Sequence, residues 1–526
     1  MSSSPIDHVQ DQSVASVLSD TATVAASPQG STFTGAGITT SGFPKTIPTP
    51  GPGRALVLCF DGTGDQFDSD NSNIVEFFTM LKKDDRDKQM VYYQAGIGTY
   101  TKPQVVTPLA AKLSKSLDEA IAWNLSAHVM DGYEFLMQNY KAGDRICIFG
   151  FSRGPYTARG LAGMIHKVGL LPACNHQQVP FAYKMYTRAD EVGWKQSNAF
   201  KKAFSVDVPI EFIGVWDTVN SVGLIPHRLP FTTSNTIVRT FRHAVSLDER
   251  RAKFKANLWN RPTAEEAMLG VDGQKPDVSH LETTHSSPDM RKKPVKHDSL
   301  KALEARYSGT GERPTDIEEV WFAGCHCDVG GGSVGNGTPH TLARIPLRWM
   351  VRECFKTDTG IIFTTDGLRG IGLDPASLYP YVQKRPPPLP VTGMHIQRIP
   401  SAAAPTLENF ANVDNLVEPL MTEEEHELHD ALSPIYDQLS LNWFWWTLEL
   451  LPMKQRYQKT EDNSWSSYIN ANLGRGRFIP KQKRTKIKIH RSVKLRMDAQ
   501  YADGARYVPK ASFETALAHG NVEWID

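Results

Sequence analysis

The sequence has little cysteine, no long apolar run and almost no net charge, and each shortage excludes a class of protein. Six cysteines in 526 residues are too sparse for a disulfide-stapled fold, and a chain of this length buries a sizeable core without staples. Cys59 and Cys147 lie inside apolar runs and read as buried thiols of a reducing compartment. No stretch approaches the ~18 consecutive apolar residues of a membrane helix. The opening Met1-Ser-Ser-Ser-Pro-Ile-Asp7 has neither the basic nor the apolar region of a signal peptide. The expected location is therefore the cytoplasm, with peripheral membrane contact left open. Fifty-eight Lys+Arg stand against 57 Asp+Glu, a formal charge of +1, which argues against a nucleic-acid partner, whose footprint would be strongly basic. There is no internal repeat.

What is present begins after a Ser/Thr/Ala/Gly/Pro-rich leader, residues 1–53, too poor in large apolar side chains to offset the entropy of ordering. Residues 54–60, 90–93, 145–149, 210–216 and 319–322 read as short buried strands. Residues 116–140 carry a helical apolar period through Leu117, Ile121, Leu125, Val129, Tyr133 and Leu136. Strands alternating with helices predict an α/β fold, a mainly parallel sheet covered on both faces. The expected organisation is the leader, a catalytic unit over 54–384, and a C-terminal extension over 391–526 packed on it. Within the unit, the polar, aperiodic segment 262–301 reads as a surface loop, with a lid as the alternative. The proline-rich stretch from Lys384 to Pro390 marks the boundary.

The sharpest motif is Gly150-Phe-Ser-Arg-Gly154, placed between an apolar strand and a helix opened by Pro155. A nucleophile elbow needs a serine on a strained strand-to-helix turn, with glycines where strand and helix approach closely. Ser152 is the candidate nucleophile, and the Arg153 N–H, at a helix N-terminus, the candidate oxyanion donor. Gly62 or Thr63, in the turn after the first strand, would supply a second. Asp217 and His326 each follow a predicted strand, where parallel sheets place functional groups, and complete the order Ser, Asp, His. Asp328 is an alternative acid or a loop-ordering residue. Cys325-His-Cys327 lacks the second pair a zinc site would need, Asp61 lacks the partner aspartate of phosphate-transferring enzymes, and Asp65, Asp68, Asp70, Asn71 and Asn73 fit a calcium loop only loosely. This chemistry requires no metal or organic cofactor.

Together these strings resemble the α/β-hydrolase-like family typified by the catalytic domain of the bacterial type VI secretion lipase effector 1, with the look of a fungal-type member. The matching pieces are Phe60-Asp-Gly-Thr63 with Asn73-Ile74, the Gly150–Gly154 motif with Ala158-Arg-Gly160, Val215-Trp-Asp-Thr218, the string from His243 to Arg251, and Trp321 through Gly332. The resemblance implies a three-layer α/β-hydrolase-like sandwich, the triad Ser152, Asp217 and His326, and ester hydrolysis of lipid or phospholipid substrates. The Asp248-Glu-Arg-Arg251 string is read as a buried ion-pair network at least as readily as a catalytic element. The alternative to turnover is a non-catalytic lipid- or partner-binding module on the same fold.

The near-neutral sum conceals an acidic patch over 423–430 and a basic strip over 475–496. The alternating Lys486-Ile-Lys-Ile489 reads as an exposed edge strand guarded by lysines in preference to a strip for lipid headgroups. Trp443-Phe-Trp-Trp446 reads as core packing in preference to membrane contact.

Overall fold

The computed structural model describes residues 43–51, 53–62, 67–96, 110–219, 229–232, 235–259, 304, 314–399, 421–458, 465–483 and 485–526. Six segments rich in β-branched, aromatic and aliphatic residues pair as β1 (Ala55–Phe60), β2 (Gln89–Gln94), β3 (Arg145–Phe151), β4 (Ile210–Trp216), β5 (Val238–Ser246) and β6 (Asp316–Phe322). Two more from the C-terminal region, β7 (Ile487–His490) and β8 (Val522–Ile525), extend the sheet. The order is β8-β7-β6-β5-β4-β3-β1-β2, every neighbouring pair parallel.

Alternate side chains of the central strands enter two separate cores. Val57, Cys59, Cys147, Phe149 and Phe212 face one; Leu56, Leu58, Phe60, Ile146, Ile148 and Ile213 face the other. Both faces being apolar is what forces the continuous hydrophobic runs seen in the sequence. The first core is closed by Phe77 of α1 (Asn73–Thr79) and by Trp349 and Met350 of a helix over Arg344–Lys356. The second is closed by Val129, Tyr133 and Leu136 of α2 (Ala110–Asn139) and by Leu161 and Ile165 of α3 (Gly154–Val168). The sheet thus has the α/β architecture expected, with helices on both sides.

The structure departs from several of these expectations. Of the segment 1–53, residues 1–42 and 52 lie outside the described part. Thr46–Ile47, however, pairs antiparallel with Phe363–Thr364, and Ile47 is buried in the first core; an isoleucine offered an apolar slot outweighs the low complexity around it. The stretch 487–490 is not an edge. It lies between β6 and β8, and Lys488 is drawn to Glu318 at 2.7 Å. Region 391–526 therefore contributes two strands to the sheet itself. The boundary at 384–390 holds Arg385, buried and ion-paired to Glu423 and Glu427, so it is tied to the helix over Glu423–Ala431. The acidic patch and the basic strip meet there: Arg491 pairs with Glu427 at 2.8 Å, and Arg496 donates to the carbonyls of Ala431 and Ser433. The segment 262–301 lies outside the described residues. Among the described residues, no helix is long and apolar enough to cross a membrane.

Candidate active site

The chain builds β1, crosses to β2 at one flank, then returns to β3 on the other side of β1. That reversal leaves a crevice beyond the carboxyl ends of β1 and β3, and Ser152 stands there. Its φ is +61°, a left-handed conformation a serine adopts only where its surroundings enforce it. The flanking glycines are steric necessities. A Cβ on Gly150 would fall 2.5 Å from the Pro155 nitrogen, and one on Gly154 would fall 2.1 Å from the Phe60 carbonyl oxygen. The turn thus passes from strand to α3 against the end of β1, with Arg153 capping the helix and Pro155 in its first turn.

Asp217 follows β4 and is fully buried, with φ of +40°. His326 opens a short helix, His326–Gly330, after β6. The structure brings the three side chains into a chain of hydrogen bonds: His326 Nε2 lies 2.8 Å from Ser152 Oγ, and Nδ1 lies 2.6 Å from Asp217 Oδ2. An ionised carboxylate only accepts, so Nδ1 carries the proton and Nε2 accepts from the serine hydroxyl. Burial pushes the His326 pKa down, and the Asp217 carboxylate only partly offsets this, so the ring is below the ordinary imidazole value and neutral at pH 7. For Asp217, burial acts in the opposite direction, but the Arg477 guanidinium and His326 outweigh it and hold the carboxyl well below its usual range.

Arg477 is the residue that sequence reasoning missed. Its Nη1 and Nη2 donate to Oδ1 and Oδ2 of Asp217, Nη1 also to Ser246 Oγ, and Nε to the Phe254 carbonyl. The guanidinium is buried, and this fork is the geometry arginine offers a carboxylate. A signal lay in Gly474-Arg-Gly-Arg477: Gly474 has φ of +67°, and a Cβ on Gly476 would meet the Lys510 carbonyl oxygen at 2.0 Å. Glycines that allow so close a backbone passage mark a built position.

The remaining candidates separate cleanly. Asp328 turns away from the histidine ring: its carboxylate accepts from the Cys325 N–H, the Tyr436 N–H and Ser333 Oγ, and burial raises its pKa to about 7. It orders the loop. Asp248 accepts from the Gly324 N–H and the Tyr507 hydroxyl, while Glu249 pairs with Arg251 and accepts from the His326 N–H; these acids fix the loop that carries the histidine. Asp61 is saturated by Ser72, Tyr93 and the Gly62 N–H, which directs the Gly62 amide to that carboxylate. Thr63 and Asp65 lie outside the described residues. Asp68 and Asp70 are exposed, whereas Asn73 is buried and donates its amide to the carbonyls of Val329 and Ala343.

The family model described as T6SS, phospholipase effector Tle1-like, catalytic domain matches residues 54–353. The chain belongs to the Tle1-like catalytic-domain family. Among its relatives is the uncharacterized protein YEL023C of Saccharomyces cerevisiae, 29% identical over 551 aligned positions that cover 85% of this chain and 80% of that one. Two solved structures are similar: an uncharacterized protein from Pseudomonas aeruginosa, at 18% identity and a TM-score of 0.31 over 62% of this chain, and the Tle1 effector bound to the VgrG spike of the type 6 secretion system, at 15% identity and a TM-score of 0.25 over 56% of it. The chain spans about half the length of each, 49% and 53%. The Tle1-like match ends before Arg477, so the buried cation behind the acid lies outside the segment that defines the family.

Proposed function

We propose that this Tle1-like chain is a serine hydrolase that cleaves carboxylic esters of lipids through Ser152, His326 and Asp217. The observation carrying the reading is the continuous Oγ–Nε2 and Nδ1–Oδ2 contact among three side chains that follow three different strands. Ser152 Oγ attacks the acyl carbonyl carbon as His326 Nε2 takes its proton, forming a tetrahedral oxyanion beside the N-terminus of α3, where the Arg153 N–H and the helix dipole favour negative charge. The imidazolium is stabilised by Asp217, which stays ionised. Collapse of the intermediate breaks the ester C–O bond, and His326 returns the proton to the leaving alcohol. Water, deprotonated by the same nitrogen, then attacks the acyl-enzyme, releases the fatty acid and restores the serine. The family description supports phospholipids as the substrate class.

The test is fatty-acid release from phospholipid vesicles and from a soluble short-chain ester, combined with labelling by a fluorophosphonate. Labelling and release are expected in the parent and lost in Ser152→Ala. A parent that neither labels nor turns over any ester would leave the fold as a binding module.

A further inference from the structure

The segment 441–453, Leu-Asn-Trp-Phe-Trp-Trp-Thr-Leu-Glu-Leu-Leu-Pro-Met, contains a single charged residue, Glu449. Folding inverts the usual arrangement. Glu449 is 1% exposed, whereas Trp443 is 77%, Phe444 58%, Leu450 64% and Leu451 52% exposed. The expectation that these aromatics serve the core is therefore corrected. What holds the segment in place is polar: the Glu449 carboxylate accepts from the Ala252 N–H, the Asn472 side-chain amide and the Gly474 N–H, and Trp446 Nε1 donates to the Leu439 carbonyl. The apolar side chains are thus displayed on a pinned platform without contributing burial that would justify them. A contiguous exposed apolar patch of this kind marks an interaction surface.

Two observations select the occupant. The patch adjoins the triad: Trp445 packs edge-on against Phe254, centroids 5.7 Å apart, and Phe254 packs edge-on against the His326 ring at 4.9 Å. Arginines lie beside it: Arg251, paired with Glu249, lies over the Phe254 and Trp445 rings, Arg250, paired with Asp437, faces Trp446, and Arg475 is exposed beside Gly474. Tryptophan, phenylalanine and leucine projecting outward, with the exposed Arg475 nearby, form the composition that settles at the headgroup–acyl boundary of a membrane.

We infer that the surface carrying Trp443, Phe444, Leu450 and Leu451 docks on a phospholipid bilayer, so that membrane lipid is delivered beside Ser152. The choice of partner rests on the proposed lipid hydrolysis; the exposure and the pinning do not. The full chain carrying Ser152→Ala, which removes turnover, is mixed with vesicles of phosphatidylcholine containing phosphatidylserine and sedimented. Adding Trp443→Ser with Phe444→Ser, or separately Leu450→Ser with Leu451→Ser, is expected to lower the partition coefficient roughly tenfold with the melting temperature retained. Otherwise wild-type chains carrying either pair are expected to lose rate on vesicle phospholipid relative to a soluble short-chain ester. Equal sedimentation of parent and variants overturns the inference, as does a parent that stays in the supernatant. A parent that chromatographs as a dimer and becomes monomeric on Trp443→Ser/Phe444→Ser also overturns it, in favour of a second copy. Vesicle binding without ester turnover by the Ser152 form would overturn the hydrolase and leave the docking surface standing; turnover of soluble ester without vesicle binding would do the reverse.

Discussion

At the scale of single residues, the informative pair is Asp217 and Arg477. Replacing the guanidinium in Arg477→Gln leaves a buried carboxylate facing the imidazole with less positive charge behind it. Breaking a buried pair costs about 3–5 kcal/mol, which thermal or urea unfolding would register. Removing a nearby cation also raises the His326 pKa, so the acid limb of the kcat/KM profile is expected to move to higher pH; a purely structural loss would lower the rate without moving the limb. Arg477→Lys restores charge but not the fork, and is expected to return the limb more fully than the stability. The sign for the carboxylate is fixed by its depressed pKa. Its contribution to stability is complete above the ordinary value of 3.8 and fades as the pH falls towards the folded-state value. A second residue-scale expectation concerns the elbow: Gly154→Ala places a methyl against the Phe60 carbonyl and should cost at least about 1–3 kcal/mol, read as a lowered melting temperature.

At the scale of elements, legibility followed locality. β1, β3, β4 and most of β6 stood out because both of their faces are buried, which writes an unbroken apolar run into the sequence. β5 was not read as a strand, since Arg239 and Arg242 interrupt its pattern; Arg242 is nonetheless buried against Glu353 at 2.6 Å. Ser152, Asp217 and His326 were legible because each sits at the end of such a strand. Arg477 was not, because no local period links residues 260 positions apart. Alternation along 486–489 was readable, but what lies beside a strand is not a local property, and β8 covers the presumed edge. The segment 441–453 misled for a related reason: tryptophans that usually fill cores are displayed here because one buried glutamate holds the backbone down. Glu449→Ala deprives three donors of their acceptor. At about 1–3 kcal/mol for each buried group left unpaired, the segment should loosen, seen as faster cleavage near 441–453 under limited proteolysis.

At the scale of the whole molecule, the residues matched to the Tle1-like family do not form the sheet alone. β7 pairs with β6 through Lys488 and Ile489, and the helix over Glu423–Ala431 is tied by ion pairs to Arg348, Arg352 and Arg491. A fragment comprising residues 44–384 would expose the β6 flank, leave Arg348 and Arg352 without their acids and leave Asp217 without its guanidinium. It is expected to be insoluble or to lack cooperative unfolding, whereas residues 44–526 should melt as one transition; circular dichroism on the two chains decides.

A ribosome releases Asp217 260 residues before Arg477, tens of seconds earlier at roughly 5–20 residues per second. Once His326 has followed, 109 residues after Asp217, all three proposed catalytic residues have been made, but the cation that fixes the acid and the strands that close the sheet have not. The order of synthesis therefore acts as a timer: the proposed ester-cleaving centre is withheld until nearly the whole chain has emerged.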